Sequence, residues 1–599
     1  MLEFKVPEIG ENIESGTVTN IMVSVGDAVK AGQDLIELET EKASLPVPSS
    51  VDGTIKEILV NVNDEVKIGQ VIFKIDASGS GSEQAKTKSA APQSQPAGQP
   101  APQPAQPRSI PSPTSQTHSI QPSAHTSQES ITGLSVVVIG GGPGGYAAAF
   151  RAADLGQNVT LIDLDTNPGG VCLYRGCIPS KALLHAAKIV SESKDAKEIG
   201  ISYKEPDIDL DKLRDWKNSV VQKMTGGLGI LSKQRKINYI QGRATFLNSN
   251  SVEAQKSDGS KITVTYDKAI LATGSRPIAL PFAPDSKRVL DSTTALEIEN
   301  IPQSLLLVGG GYIGLELGTV YAELGSQVDV VEMLPQLMTG ADRDVANVLE
   351  KRLKIIFNTI MTATKVTAMK ETSAGIKVSF EDKDGKTSSK EYEKVLVAIG
   401  RRPNTENLGL EHTKVTLSDR GFINVNAQLL TADPSIYAIG DITGNPMLAH
   451  KASHEGITAA ESISGQKVAF EPNCIPAVVF TDPEIAWCGI TETEAKAQGI
   501  TVQVVKFPWG ASGRATTLNR NDGMTKFMVE PQTERILGVS IVGPGAGELI
   551  AEGVLAIEMG AVVKDLAMSI HPHPTLSETM METAESFYGH ATHIYKPKR

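Results

Sequence analysis

The run Ser135-Val136-Val137-Val138-Ile139-Gly140-Gly141-Gly142-Pro143-Gly144-Gly145-Tyr146-Ala147-Ala148-Ala149-Phe150 decides the fold. Apolar, β-prone residues give way at once to glycines and then to an alanine-rich stretch, which reads as a buried strand, a tight turn and a helix. Gly140, Gly142 and Gly145 have the Gly-x-Gly-x-x-Gly spacing that lets the backbone approach a pyrophosphate at the positive end of the helix. The next strand, residues 159–162, ends in Asp163, whose carboxylate suits a ribose hydroxyl.

The same device recurs downstream. Ser304-Leu305-Leu306-Leu307-Val308 runs into Gly309, Gly311 and Gly314, then into a helix that carries Glu316. A second strand, residues 328–331, ends at Glu332. Two such folds imply two dinucleotides. A carboxylate at Glu332 pairs with the free 2'-hydroxyl of NAD and repels the phosphate of NADP, and the following Met333-Leu334-Pro335 contains no arginine.

Between the two lies Gly169-Gly170-Val171-Cys172-Leu173-Tyr174-Arg175-Gly176-Cys177-Ile178-Pro179-Ser180-Lys181. Two of the chain's four cysteines sit here about one helical turn apart, a spacing that suggests a redox pair. A structural zinc site would want a second close pair, and Cys474 and Cys488 are too far apart in sequence to look like one. Four cysteines in 599 residues are no secreted disulfide framework.

These motifs together resemble the flavin-dependent pyridine nucleotide disulfide oxidoreductases, most closely those that reoxidise dihydrolipoyl groups, from about Leu134 to the C-terminus. The family usually has Thr where this chain has Val171, and often Asn-Val where it has Tyr174-Arg175. The resemblance implies an FAD domain around Gly140 to Asp163, an NAD domain around Gly309 to Glu332, and a redox disulfide between Cys172 and Cys177. It also implies that Lys181 and Glu316 form an ion pair beside the flavin, that Ala272-Thr273-Gly274 closes the first half of the FAD domain, and that Asp441 binds the ribityl chain. Gly400 joins the expected cofactor contacts. His571-Pro572-His573-Pro574-Thr575-Leu576-Ser577-Glu578 resembles the family's His-Glu dyad, in which the base His573 reaches the partner subunit's flavin, so that activity requires a homodimer.

Residues 1–76 contain a repeat that aligns Gly16 with Gly53, Asp27 with Asp64 and Gly32 with Gly69. Both copies alternate apolar and polar residues, which predicts a small two-sheet β unit. Its six lysines against fourteen Asp and Glu leave it strongly acidic, a charge suited to meeting partners. Between the halves, Glu41-Lys42-Ala43 falls at an expected hairpin tip. The module resembles lipoyl and biotinyl carrier domains, and the absence of flanking methionines favours the lipoyl form, with the covalent lipoyl group on Lys42.

Residues 77–130 hold nine prolines and almost no large apolar residue, so they cannot offset their ordering entropy and predict a flexible linker. As a coil it would span about 40 Å on average.

The expected architecture is α/β: two Rossmann-like dinucleotide domains and an α+β dimerisation domain, preceded by a small all-β carrier. The boundaries fall at 1–76 (carrier), 77–130 (linker), 131–283 (FAD), 284–405 (NAD), 406–474 (second part of the FAD domain) and 475–599 (dimerisation). The expected activity is oxidation of protein-bound dihydrolipoamide with reduction of NAD, through one FAD per subunit, alongside an E2 acyltransferase and the other components of a 2-oxoacid dehydrogenase complex.

Glutathione reductases favour NADPH and lack a lipoyl carrier, and mercuric reductases end in a cysteine pair that Ile594-Tyr595-Lys596-Pro597-Lys598-Arg599 lacks. A non-catalytic scaffold would need neither the cysteines nor His573. A net charge of −12 offers no footprint for nucleic acid, and the most apolar stretches, near Val136 and Leu305, are too short and glycine-broken to span a membrane. With Met1-Leu2-Glu3-Phe4 leading straight into a structured pattern, the expectation is a cytoplasmic protein.

Overall fold

The computed structural model describes residues 2–6, 15–30, 33–39, 44–62, 64–77 and 131–595, which belong to two compact units, Met1–His118 and Ser119–Arg599. Lys42 and residues 78–130 lie outside the described residues.

The N-terminal unit is two four-stranded antiparallel sheets. One has the order Leu2–Lys5, Val71–Ala77, Gly53–Ile58, Ala28–Val29; the other has the order Ser44–Pro48, Asp34–Glu39, Ser15–Ile21, Glu65–Lys67. Each sheet takes strands from both halves of the repeat, so neither half can close a core alone. The alternation buries Val18, Leu38, Ile55 and Ile75 completely in one cluster. The repeat extends to the turn chemistry: Asp27 Oδ2 accepts from the Ser24 N–H at 2.8 Å, and Asp64 Oδ2 accepts from the Asn61 N–H at 2.7 Å. Thirty-seven positions apart, Gln33 and Gln70 likewise accept from the N–H groups of Lys30 and Lys67. Strands Asp34–Glu39 and Ser44–Pro48 pair with Glu39 opposite Ser44, and Lys42 falls between them in sequence.

The larger unit opens with a five-stranded parallel sheet in the order Asn238–Gln241, Asn158–Asp163, Ser135–Ile139, Lys268–Leu271, Ile436–Ala438. Val137, Val138, Ile270 and Leu271 are fully buried, as expected for strands covered on both faces. Helices α1 (Pro143–Asp154), α2 (Gly170–Arg175), α3 (Cys177–Asp195) and α4 (Leu210–Gln234) follow in chain order. A second parallel sheet has the order Val289–Leu290, Lys394–Val397, Ser304–Val308, Gln327–Val331, Thr359–Met361, with α5 (Tyr312–Glu323) after its central strand and α6 (Arg343–Ile356) beyond. Each sheet also feeds a three-stranded antiparallel meander, at residues 243–265 and 364–392. The two halves are therefore copies of one plan.

The chain leaves the first sheet and later returns to it. Ser275–Pro277 pairs antiparallel with Arg401–Pro403 where the two paths cross, and the strand Ile436–Ala438 then completes the first sheet. Helix α7 (Ala449–Ile463) packs on α1 so closely that a Cβ on Gly456 would lie 2.4 Å from the Gly144 carbonyl oxygen. Glycine at this crossing brings the two backbones together.

The last part is a five-stranded antiparallel sheet, in the order Ala477–Val479, Glu484–Gly489, Ile536–Gly543, Met524–Val529, Gln503–Pro508, covered by helices Ala546–Glu558 and Glu578–Tyr588. Trp509, Phe527, Val539 and Met580 fill its core. A shared cluster joins it to the second parallel sheet, with Leu349 and Leu353 of α6 beside Ile485 and Val542. At that junction the fully buried Lys526 ammonium contacts Asp342 at 2.9 Å, Asp344 at 3.1 Å and Glu492 at 2.7 Å. These three carboxylates surround a cation the protein supplies itself. Among the described residues, no helix is long and apolar enough to cross a membrane.

Candidate active site

A cleft of about 920 Å³ opens at the carboxyl ends of the first sheet's strands, where the loops of a doubly wound sheet diverge. Its floor is the turn from Ser135–Ile139 into α1. Gly140 has φ +104°, and a Cβ there would sit 2.2 Å from the Ala272 carbonyl oxygen, so only glycine makes this turn. At Gly142 the space toward the cleft is open, the nearest atom to a built Cβ being 4.0 Å away. Gly145 lies beneath, where a Cβ would strike the Gly140 carbonyl oxygen at 1.8 Å; it sets how near α1 lies to the sheet. No side chain caps the N-terminus of α1. An uncapped helix end behind a glycine turn fits the pyrophosphate of a dinucleotide.

Asp163 ends the neighbouring strand and lines the same cleft. Its Oδ2 accepts the Gly141 N–H, its Oδ1 accepts the Asp165 N–H at 3.0 Å, and burial raises its carboxyl above the usual range. Ala272, Thr273 and Gly274 form another edge, where Thr273 Oγ1 donates to the Asn404 carbonyl at 2.7 Å. Asp441 reaches the cleft from the returning chain and accepts a hydrogen bond from Ser275 Oγ.

Cys172 projects from α2 and Cys177 begins α3, and both open onto the cleft. The two thiols are close neighbours there. The hydrogen bond from Cys172, helped by the Lys181 cation, brings the Cys177 thiol down to about 7, while the same contact and burial push Cys172 up. Lys181, one turn along α3, places Nζ 2.8 Å from Glu316 Oε2 of α5. Glu316 is almost fully buried, and its Oε1 accepts the Phe480 N–H at 3.0 Å. The Phe480 ring lies 4.6 Å from the Lys181 Nζ, so the cation is held by charge on one side and by a π face on the other.

The second glycine turn repeats the first. Gly309 has φ +108°, and a Cβ on it would lie 2.5 Å from the Ala398 carbonyl oxygen; one on Gly311 meets nothing within 4 Å, and Gly314 packs on the Gly309 carbonyl. Glu332 occupies the place of Asp163, with Oε2 accepting the Gly310 N–H at 2.6 Å and Oε1 the Leu334 N–H at 2.8 Å. The N-terminus of α5 also lacks a side-chain cap. Gly400 follows this sheet's strand Lys394–Val397, with φ +125°, and its carbonyl accepts the Ile278 N–H. These donors fit a second dinucleotide.

His573 stands apart. Its Nδ1 lies 2.8 Å from Glu578 Oε1, its ring is mostly exposed, and it does not line the cleft of its own chain. Burial alone would raise Glu578, but the hydrogen bonds from the Thr575 N–H and from His573 outweigh it and hold the carboxyl below its ordinary value. His571 is engaged elsewhere, with Nε2 2.8 Å from Glu552.

Some cleft contacts escaped the sequence. Arg401 donates from Nε to Ser275 Oγ at 2.7 Å, so Asp441 is held through Ser275 by a guanidinium 126 positions away from the serine. Lys451 and Glu455 form a buried pair at 2.7 Å on α7, and Glu455 Oε2 accepts the Gly440 N–H at 2.6 Å, fixing the backbone just before Asp441. An i,i+4 Lys-Glu pair after the Asp441 motif was the available signal for the second; nothing local signals the first. Cys474 and Cys488, unrelated by sequence spacing, meet in one core cluster as neighbouring thiols.

Residues 134–456 match the family model described as pyridine nucleotide-disulphide oxidoreductase, and residues 475–584 match its dimerisation domain. Residues 2–75 match the biotin/lipoyl carrier model described as biotin-requiring enzyme. The chain is 50% identical over 464 residues to proteins named dihydrolipoyl dehydrogenase from Vibrio cholerae and Haemophilus influenzae, covering 77% of this chain and 97% of each of those. It is 46% identical over 458 residues to the one from Geobacillus stearothermophilus, covering 76% of this chain and 97% of that protein. Among solved structures, LpdA from Mycobacterium tuberculosis superposes with a TM-score of 0.71 at 29% identity over 76% of this chain and all of that one. The HOCl-induced flavoprotein disulfide reductase RclA from Escherichia coli, solved as a Cu(II) complex, gives 0.68 at 26% identity over 76% of this chain and 100% of its own. With its paired thiols, its two glycine turns and these matches over most of its length, the chain belongs to the pyridine nucleotide-disulphide oxidoreductase family.

Proposed function

We propose that the chain is a dihydrolipoyl dehydrogenase bearing its own lipoyl carrier, which uses FAD and NAD, works as a homodimer and serves a 2-oxoacid dehydrogenase complex. The observation that carries this reading is the Cys172–Cys177 pair at the cleft beside the Lys181–Glu316 ion pair, in a chain half identical to proteins of that name. We assign residues 1–76 as the carrier with the lipoyl group on Lys42, 77–130 as its tether, 131–283 and 406–474 as the FAD part, 284–405 as the NAD part and 475–599 as the dimer part. We further propose a cytoplasmic location, where free NAD and lipoyl carriers are both at hand.

The cycle begins with Cys172 and Cys177 joined. His573 of the partner subunit, oriented by Glu578 of the same subunit as that histidine, removes a proton from a dihydrolipoyl thiol, which is a poor nucleophile until ionised. The thiolate attacks the Cys172 sulfur, and Cys177 leaves as a thiolate, the form that the Cys172 hydrogen bond and Lys181 favour. The second substrate thiol then attacks the first substrate sulfur, closing the lipoyl ring and releasing Cys172, which takes the proton His573 holds, while the imidazole so freed accepts the proton of the second thiol. FAD, when bound, would supply the two-electron redox chemistry that links the dithiol to NAD. Gly142 and α1 would hold its pyrophosphate, Asp163 its ribose and Asp441 its ribityl chain; Gly311, α5 and Glu332 would hold NAD.

The test is NAD reduction by free dihydrolipoamide, with the intact mass recorded. The full chain should bind FAD, turn over and carry one lipoyl group; Lys42→Arg should lose the lipoyl mass and keep turnover with free substrate. Bound FAD without turnover would shift the assignment to another disulfide reductase, and no FAD would refute it.

A further inference from the structure

The mechanism uses two of the four cysteines. The other two meet in the antiparallel domain: Cys488 lies in strand Glu484–Gly489, opposite Val539 in the middle of the sheet, and is 1% exposed. Cys474 precedes the edge strand Ala477–Val479, which pairs with that same strand in the register Ala477 to Trp487 and Val478 to Ala486. Cys474 lies three residues ahead of that strand and packs against the core cluster that contains Cys488. Its backbone is anchored, since the Cys474 N–H donates to Glu558 Oε1 at 3.2 Å and Asn473 Nδ2 donates to Glu558 Oε2 at 3.1 Å.

We propose that Cys474 and Cys488 are a peroxide-responsive thiol pair that closes to a second disulfide in the dimer domain. The unequal burial assigns the roles. Cys474 is half-buried and reachable, whereas Cys488 is shut away from any bulky reagent and can react only with a group already beside it. The hydrogen bond from Cys488 also lowers the Cys474 thiol, which raises its thiolate fraction. The oxidant is hydrogen peroxide, small enough to reach a half-buried sulfur. The Cys474 thiolate attacks one peroxide oxygen and the O–O bond breaks, giving a sulfenic acid and a hydroxide that leaves as water. The Cys488 sulfur then attacks the sulfenic sulfur, the S–S bond forms, the S–O bond breaks, and the second oxygen leaves as water with the Cys488 proton. The pair loses two electrons, and one peroxide becomes two waters.

The closed bond would tie the edge strand at its start. Three residues past Cys474 that strand begins, and just beyond its end Phe480 donates its N–H to Glu316 and faces Lys181. The clasp would thus anchor the segment that supports the catalytic ion pair.

The test treats the full-length, FAD-loaded protein with hydrogen peroxide, without substrate or NADH, then removes the peroxide, unfolds the protein in urea and maps thiols by alkylation and peptide mass. The reduced protein should alkylate at all four cysteines and the oxidised protein at none, with a Cys474–Cys488 cross-linked peptide that dithiothreitol releases. Cys488→Ser should leave a dione-trappable sulfenic acid at Cys474, and Cys474→Ser should leave Cys488 a free thiol. Two thiols, at Cys474 and Cys488, still alkylatable after the Cys172–Cys177 pair has oxidised would overturn the proposal. Sulfinic acid at Cys474 beside a free Cys488 in the wild type would overturn it too.

Discussion

Replacing Lys181 by Met should raise the pKa of Cys177 by about one unit. Lys181 lies one helical turn from Cys177, and side chains at that spacing are about 6 Å apart. At an effective dielectric near 20, a cation at that distance stabilises a thiolate by about 3 kcal/mol. Two features reduce this: the Lys181 side chain is about a third exposed, and the buried Glu316 at 2.8 Å repels the same thiolate. About half, or ~1.4 kcal/mol, remains, which is about one pK unit. The sign follows from the charge, because removing a cation destabilises the anionic form. From a value of about 7 in the wild type, the thiolate fraction at neutral pH would fall from about one half to about one tenth, and alkylation of Cys177 would slow about fivefold. The assay reduces the full chain, reacts it with iodoacetamide across pH and quantifies the Cys177 peptide by mass. A Cys177 profile that stays put, or moves to lower pH, would refute the electrostatic role given to Lys181.

Three further outcomes are expected. His573→Gln should cut turnover with dihydrolipoamide by a factor on the order of 100 while leaving FAD content and NADH oxidation by an artificial acceptor unchanged; equal losses in both reactions would point to a structural role. Lys526→Met leaves Asp342 buried without its cation and should cost about 3 kcal/mol, after allowing for the half-exposed Glu492, read as a lower midpoint in urea. The depressed carboxyl of Glu578 contributes stability that is present above the free-carboxylate range, near about 4.3, and is lost as pH falls through its lower folded value. Glu578→Gln should therefore flatten the decline of Tm between about pH 5 and pH 3, and an unchanged slope would show that the pairing adds nothing there.

What the chain spells locally, the sequence alone determined. Strand, glycine turn, helix and terminal acid occur within about thirty residues of one another, so the 135–163 and 304–332 units and the carrier repeat could be read from periodicity and spacing. Helical spacing put Cys172, Cys177 and Lys181 along one short stretch, and sequence proximity joined His573 to Glu578. Tertiary structure decided everything that depends on where separate sheets lie. It brought Glu316 to Lys181 across 135 positions and chained Arg401 to Asp441 through Ser275. It placed Cys474 against Cys488 and set His573 away from its own cleft. The physical reason is one of range. Backbone propensity and side-chain alternation act over one element, whereas a contact between elements depends on how whole sheets pack, and that packing is settled by burial summed over many residues rather than by any short motif.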